Sequence, residues 1–243
     1  MDKMCPIPYT EEMQKQILNY HNMVRSKVNP TATNMEKMYW DDKMAEMALE
    51  HSKKCVFEHN TFAERRFDGY INVGQNLFAS SVKPNATVPA IAWHAEVKDF
   101  TFGQSTAAVV GHYTQVVQGK AARIGCGGAY CPNNRLKYIV TCHYLRGQYN
   151  YITPYAKGTT CGSCPDKCQQ NLCDCNGIVC QHGGRLNRNT CECSCLGLST
   201  GNLCQNCKLT IAIILQSIYL SIYLSIYLSM AICLVFVCLC IHM

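Results

Sequence analysis

The chain has 243 residues, 48% of them hydrophobic, and a net charge of +6. That is enough to bury one good core and carry a smaller module as well, while cationic residues scattered among acids form no basic stripe and exclude nucleic acid as a partner. Nineteen cysteines exclude a reducing cytosol and predict an exported, disulfide-bonded protein.

The opening stretch MDKMCPIPYTEEMQKQ has no apolar run of the roughly 7–15 residues that a secretory leader requires. The expectation is therefore that a leader lies upstream, in a precursor or in an exon outside this sequence. Residues 10–28, TEEMQKQILNYHNMVRSKV, predict an amphipathic helix: Thr10 can cap it, Glu11 and Glu12 favour its N-terminus, and Met13, Ile17, Tyr20 and Val24 recur at helical spacing. Asp41 and Asp42 open a second helix, with Met44, Met47, Ala48, His51 and Cys55 on one face. Pro89 fits the first turn of a third, PAIAWHAEVKDF, because the amide hydrogen it lacks would have no partner there. The segments INVGQNLFA, ARIGCGGAY and LKYIVTCHYL are rich in β-branched and aromatic residues and predict strands. Helices and strands mix without βα alternation, which predicts an α+β layered domain.

Near residue 153 the texture changes, and Pro, Gly, Thr and closely spaced cysteines replace apolar periodicity. Eleven cysteines fall in the 47 residues from Cys161 to Cys207, with too few apolar groups for a core, so this part is stapled covalently. The last segment, residues 209–243, is long and apolar enough to span a bilayer. It also carries three copies of Ile-Tyr-Leu-Ser, the product of translating a repeated ATCT. Both readings stand: a membrane anchor, which is the alternative to a freely secreted protein, and a translated repeat.

Four polar positions are candidates for chemistry: His59 in CVFEHN, Gln75 in NVGQN, Glu96 in WHAE and His112 in GHYTQ. His59, His112 and Glu96 are of the types that hold Zn²⁺ with a position left for water, although no HExxH or paired CxxC spacing accompanies them. The competing reading is histidines hydrogen-bonded within a core, and His21, His51, His94 and His143 are read that way. Ser80 and Ser81 follow the strand that carries Gln75, and nothing in the sequence pairs either with His112 as a nucleophile needs.

Taken in order, WDDKMAEMALEHSKKCVFEHN, NVGQNLFAS, AIAWHAEVKDF, GHYTQVVQGKAARIGCG and YIVTCHYLRGQYNYITPY resemble the successive signatures of the CAP superfamily of cysteine-rich secretory proteins, venom antigens and pathogenesis-related proteins. The resemblance implies an α-β-α sandwich over residues 1–155 with an open cleft lined by His59, Gln75, Glu96 and His112. Gln75 is a departure, an amide where many members carry a carboxylate. Gln118 stands where the family usually has Trp, which should expose or loosen the end of that short helix. The resemblance further implies bridges Cys55–Cys131 and Cys126–Cys142, and, in a cysteine-rich hinge at 156–174, Cys161–Cys168 and Cys164–Cys173. Residues 175–208 resemble an EGF-like module, and Cys5 and Cys207 are left without assigned partners. Asn85 in NAT is a glycosylation sequon on a loop.

Three functions follow as expectations. The first is a secreted CAP protein that binds an extracellular protein, cell-surface receptor or channel, in a venom-like or innate-defence role. The second is a metal-assisted, peptidase-like hydrolase with Glu96 as base and Zn²⁺ on His59 and His112. The third is a sterol or lipid carrier.

Overall fold

The computed structural model describes residues 3–66, 69–70 and 72–207. The N-terminal part runs β1 (Cys5–Pro8), α1 (Glu11–Arg25), β2 (Tyr39–Trp40), α2 (Asp42–Lys53), β3 (Val73–Ser80), α3 (Val88–His94), α4 (Gly111–Val116), β4 (Arg123–Tyr130) and β5 (Tyr138–Leu145). Thr10 caps α1 by accepting from the Met13 amide, and Asp41 caps α2 by accepting from Met44. The first helix ends at Arg25, short of Val28, where the Ser26 hydroxyl donates back to the Met23 carbonyl. The third ends at His94, and the rest of the predicted segment tightens into a 3₁₀ turn, Ala95–Asp99.

The sheet has the order β1-β4-β5-β3, with β2 added in parallel alongside β4. Strand periodicity divides its two faces. Ile124, Cys126, Val140, Cys142 and Tyr144 enter the main core with Ile17 and Val24 of α1, Trp93 of α3 and Val116 of α4. The alternate positions lie under α2. There the Ser52 hydroxyl donates to Thr141 and to the Gly127 carbonyl, and Gly125 and Gly127 leave room for the α2 backbone at Met44 and Leu49. Helices therefore cover both faces of one sheet in an α-β-α arrangement.

Arg25 is fully buried, and its guanidinium donates to the carbonyls of Glu36, Val116, Gln118 and Ala121. This fixes the chain after α4 and corrects the expectation for Gln118. Its side chain is buried rather than exposed, with Oε1 accepting from the Lys120 amide, so hydrogen bonds hold the turn where an indole was expected to do so.

Disulfides join Cys55 to Cys131, Cys126 to Cys142, Cys161 to Cys168 and Cys164 to Cys173. The last two bracket the hairpin of β6 (Cys168–Gln169) and β7 (Leu172–Cys173). That segment is knitted into the first compact unit, which extends to Gly177 and takes in Arg188–Thr190: the Cys173 carbonyl accepts from Lys37, and its amide donates to Met35.

The second unit contains Ile178–Asn187 and the described residues from Cys191 onward. It holds two small hairpins, β8 (Arg185–Asn187) with β9 (Glu192–Ser194) and β10 (Ser199–Thr200) with β11 (Asn206–Cys207). Cys180–Cys193 and Cys195–Cys204 cross-link it. Cys175, Cys191 and Cys207 are also disulfide-bonded, whereas Cys5 is free and exposed. Among the described residues no helix is long and apolar enough to cross a membrane. The apolar tail at 209–243 lies outside the described residues.

Candidate binding cleft

A cavity of about 330 Å³ opens at the free edge of β3. His59 enters it from the chain that follows α2, and His112 from the first turn of α4 on the other side of the sheet. The strand edge at Asn72–Asn76 forms the floor between them. The two imidazoles thus share one hollow with Gln75, while Glu96 stands outside the lining, behind His112.

Each histidine is aimed by a partner on its Nδ1. Gln75 Oε1 accepts from His59 Nδ1 at 2.7 Å, and Glu96 Oε1 accepts from His112 Nδ1 at 2.6 Å. Because both oxygens act as acceptors, Nδ1 carries a hydrogen in each ring, and Nε2 has no partner among the described residues. The other carboxylate oxygen of Glu96 accepts from the Tyr113 amide at 2.9 Å, locking it to the first turn of α4. The Trp93 ring stacks on His112 with centroids 6.3 Å apart.

Of the three residues read as a metal set, His59 and His112 line the cavity and Glu96 stands behind His112. Each oxygen of Glu96 accepts one hydrogen bond, and among the described residues the one close grouping of three metal-type side chains is Cys161, Cys164 and Cys173. Those sulfurs are tied up in disulfides. What remains is a pair of imidazoles, oriented by an amide and a carboxylate.

Some contributors were missed by the sequence reading. His143, read as an ordinary buried histidine, sits opposite Gln75 in the β3–β5 register, and its Nε2 lies 3.1 Å from Gln75 Nε2. Burial, reinforced by the nearby positive charge of Arg65, pushes its pKa down to about 3, so it stays neutral and can accept from the amide. Strand alternation carried the signal, since any β5 partner of Gln75 must share its face. Arg65 and the exposed side chains of Phe62, Val109 and Tyr151 also line the cavity, and they come from loops whose course has no periodicity to read. His21, His51 and His94 lie outside it; His21 bonds to the Ile17 carbonyl and Tyr144 hydroxyl, and His51 to the Glu58 carbonyl.

Among its described residues the lining contains no Ser, Thr or Cys and no carboxylate. Ser80 lies at the far end of β3, paired with Tyr138, and Ser81 beyond it. The cleft offers hydrogen-bonding, stacking and imidazole ligation, but no nucleophile beside a base.

Comparison with known proteins gives the same outline. The cysteine-rich secretory protein family, CAP, matches residues 18–144. Cysteine-rich secretory protein 3 of Equus caballus is 47% identical over 67% of this chain and 69% of its own length. Cysteine-rich venom protein Mr30 of Conus marmoreus is 40% identical over 82% of this chain and 68% of its own. Among solved structures, that of NaASP2 with Zn²⁺ superposes with a TM-score of 0.57 at 27% identity, covering 69% of this chain and 97% of the other. With the sandwich, the strand-edge cleft and these relatives in agreement, the chain belongs to the CAP family of cysteine-rich secretory proteins.

Proposed function

We propose that this is a secreted protein that acts by binding extracellular or cell-surface proteins, with the cleft of the sandwich as one recognition surface and the C-terminal cysteine-rich unit as a second. The observation that carries this reading is the cleft lining: two oriented imidazoles, amides and exposed apolar side chains, with no Ser, Thr, Cys or carboxylate among the described residues. Relatives named as secretory and venom proteins support export and a venom-like role. For the second unit we keep the EGF-like reading. It is supported by bridges that join the second cysteine to the fourth and the fifth to the sixth, counting from Cys175. Asn85 is exposed beside Ala86 and Thr87, as a glycosylated sequon requires.

The test uses the full, oxidised chain carrying a fluorescent label. Saturable binding to intact cells, displaced by excess unlabelled protein and lost on reduction, is the expected result. Binding that never saturates on any cell type would remove the reading.

A second reading concerns Zn²⁺, which the NaASP2 structure contains. The residues here fit a two-histidine site, with Nε2 of His59 and His112 as ligands and with Gln75 and Glu96 orienting them. Bound there, the ion would supply Lewis acidity. Calorimetric titration with Zn²⁺ should give one site in the unmodified protein and none in His59→Ala; identical isotherms would eliminate it. The sterol alternative gains no support from the apolar pocket between Ile7, Tyr9, Met13 and Val140, whose volume of about 10 Å³ holds roughly one water.

A further inference from the structure

The floor of the cleft is a strand edge that no described strand pairs, and the sheet register fixes which main-chain groups face into it. Cys126 and Cys142 stand directly opposite with their Cα atoms 4.1 Å apart, the spacing of a non-hydrogen-bonded antiparallel pair. The main-chain groups of Cys142 therefore point the other way, toward Asn76 of β3. Strand alternation then turns those of Gln75 and Leu77 outward, away from β5. Independent contact evidence agrees at Leu77, whose carbonyl accepts from the Trp93 indole at 2.9 Å. At Gln75 no such partner is present among the described residues, so its amide hydrogen and carbonyl are open to the cavity its side chain lines.

Charge and shape single out the occupant. Among the described residues of the lining, Arg65 is the one Lys or Arg, and no Asp or Glu accompanies it. Its neighbour Glu64 is engaged by Lys54 and Thr61, and the buried Nε of Arg65 has no partner among the described residues. Gln75 contributes to this balance, since a carboxylate there would have offset the guanidinium. Phe62, Val109 and Tyr151, 69%, 71% and 59% exposed, line the same cavity and offer apolar surface to a ligand.

We infer that the cleft takes an extended acidic peptide segment, which adds as a strand to the edge of β3 at Gln75 and places a carboxylate on Arg65. The main chain of the ligand exchanges hydrogen bonds with Gln75, and its apolar side chains lie against Phe62, Val109 and Tyr151. No bond is made or broken. This deepens the binding reading above and rests on it, by naming the chemistry that the cleft selects.

The test uses the full oxidised protein in the presence of a chelator, with three acetylated and amidated pentapeptides. These are Thr-Val-Glu-Val-Thr, its analogue with Gln in place of Glu, and an analogue N-methylated on the backbone nitrogens that would pair with β3. Titration followed by ¹⁵N amide shifts should show the first peptide perturbing the Gln75 amide. Removing the peptide's carboxylate or its backbone donors should each weaken binding about tenfold or more, and Arg65→Gln should abolish the preference for Glu over Gln. Because the discriminating change lies in the ligand, a poorly folded variant cannot mimic the result. Equal affinity for all three peptides, shifts confined to the C-terminal unit, or no binding at millimolar peptide overturns the inference. If the peptides fail while saturable cell binding persists, only the inference falls; loss of both takes the binding reading with it.

Discussion

The two compact units are held together by different physics. The first buries Ile17, Met35, Met38, Met44, Ile124, Ile139, Tyr144 and Leu145 almost completely around a sheet covered on both faces. Among the described residues of the second, the only buried apolar side chains other than cysteine are Tyr70 and Val179. Apolar burial of about 1.5–3 kcal/mol per large side chain stabilises the one, whereas covalent constraint on the unfolded chain must stabilise the other. A fold with a core tolerates the loss of a staple; a fold made of staples does not.

Reduction is the strongest way to break this comparison. With dithiothreitol the second unit should lose its amide protection altogether, because each native disulfide in such a module is worth about 2–5 kcal/mol and no core stands behind it. The strands β4 and β5 should remain protected, although Cys126–Cys142 and Cys55–Cys131 open. Hydrogen exchange read by mass spectrometry separates the two, and simultaneous loss in both units would refute the division. The converse experiment is Arg25→Met, which removes the guanidinium from four main-chain carbonyls, of which Gln118 keeps the Ala121 amide as a donor. We expect a loss of about 3–5 kcal/mol in the sandwich by denaturant titration, with the second unit unaffected.

Acid should also act on the sandwich. His21 lies fully buried between the Ile17 carbonyl and the Tyr144 hydroxyl, and burial, only partly offset by the hydrogen bond to Ile17, pushes its pKa down to about 4. An unfolded histidine titrates near 6.5, so between pH 6.5 and about 4 the unfolded chain binds a proton that the native state refuses. Stability from this group is present above pH 6.5 and is lost as the pH falls through that window, by on the order of 3 kcal/mol. Burial of His143 acts in the same direction, down to about 3. Melting temperatures between pH 7 and pH 4 should therefore fall for the sandwich; a flat profile would contradict the burial of these rings.

Much of the sandwich was legible because its signals are local and periodic. Thr10 and Asp41 announce their helices by side-chain chemistry, and alternation of Ile, Cys and Tyr in β4 and β5 marks the face that meets the core. The role of Arg25 was less legible, because its buried guanidinium finds carbonyls some 90 positions away. The same holds for the cleft. His59, Gln75 and His112 could be named from motifs, but the closure of Glu96 onto the Tyr113 amide, the reach of Gln75 to His143 and the arrival of Arg65 are facts of tertiary approach. Disulfide pairing was not legible from spacing at all, since many connectivities are open to so many cysteines.

The smallest and most local test lies in GCGG, residues 125–128. Gly127 faces α2, and a Cβ built there would stand 2.7 Å from both Cα and Cβ of Leu49 and 2.8 Å from its amide nitrogen. Backbone cannot yield as a rotamer does, so Gly127→Ala has to lift α2 off the sheet, which costs about 1–3 kcal/mol. Gly128, one position on, faces the other way. There the nearest atoms to a new Cβ are the Ile139 carbonyl oxygen at 3.1 Å and a Val140 methyl at 3.4 Å, which a shift of a few tenths of an ångström relieves. Gly128→Ala should therefore cost clearly less than Gly127→Ala, and neither should alter the second unit. The helix lifted by Gly127→Ala leads directly into Cys55 and His59, and Cys55 is anchored to Cys131. Displacement of α2 is thus blocked at its C-terminal end, and the strain must be taken up between Leu49 and Cys55 rather than passed on to the cleft. Stability should drop while the ¹⁵N amide shift of Gln75 stays in place; movement of that resonance would mean the disulfide does not insulate the cleft from the helix layer.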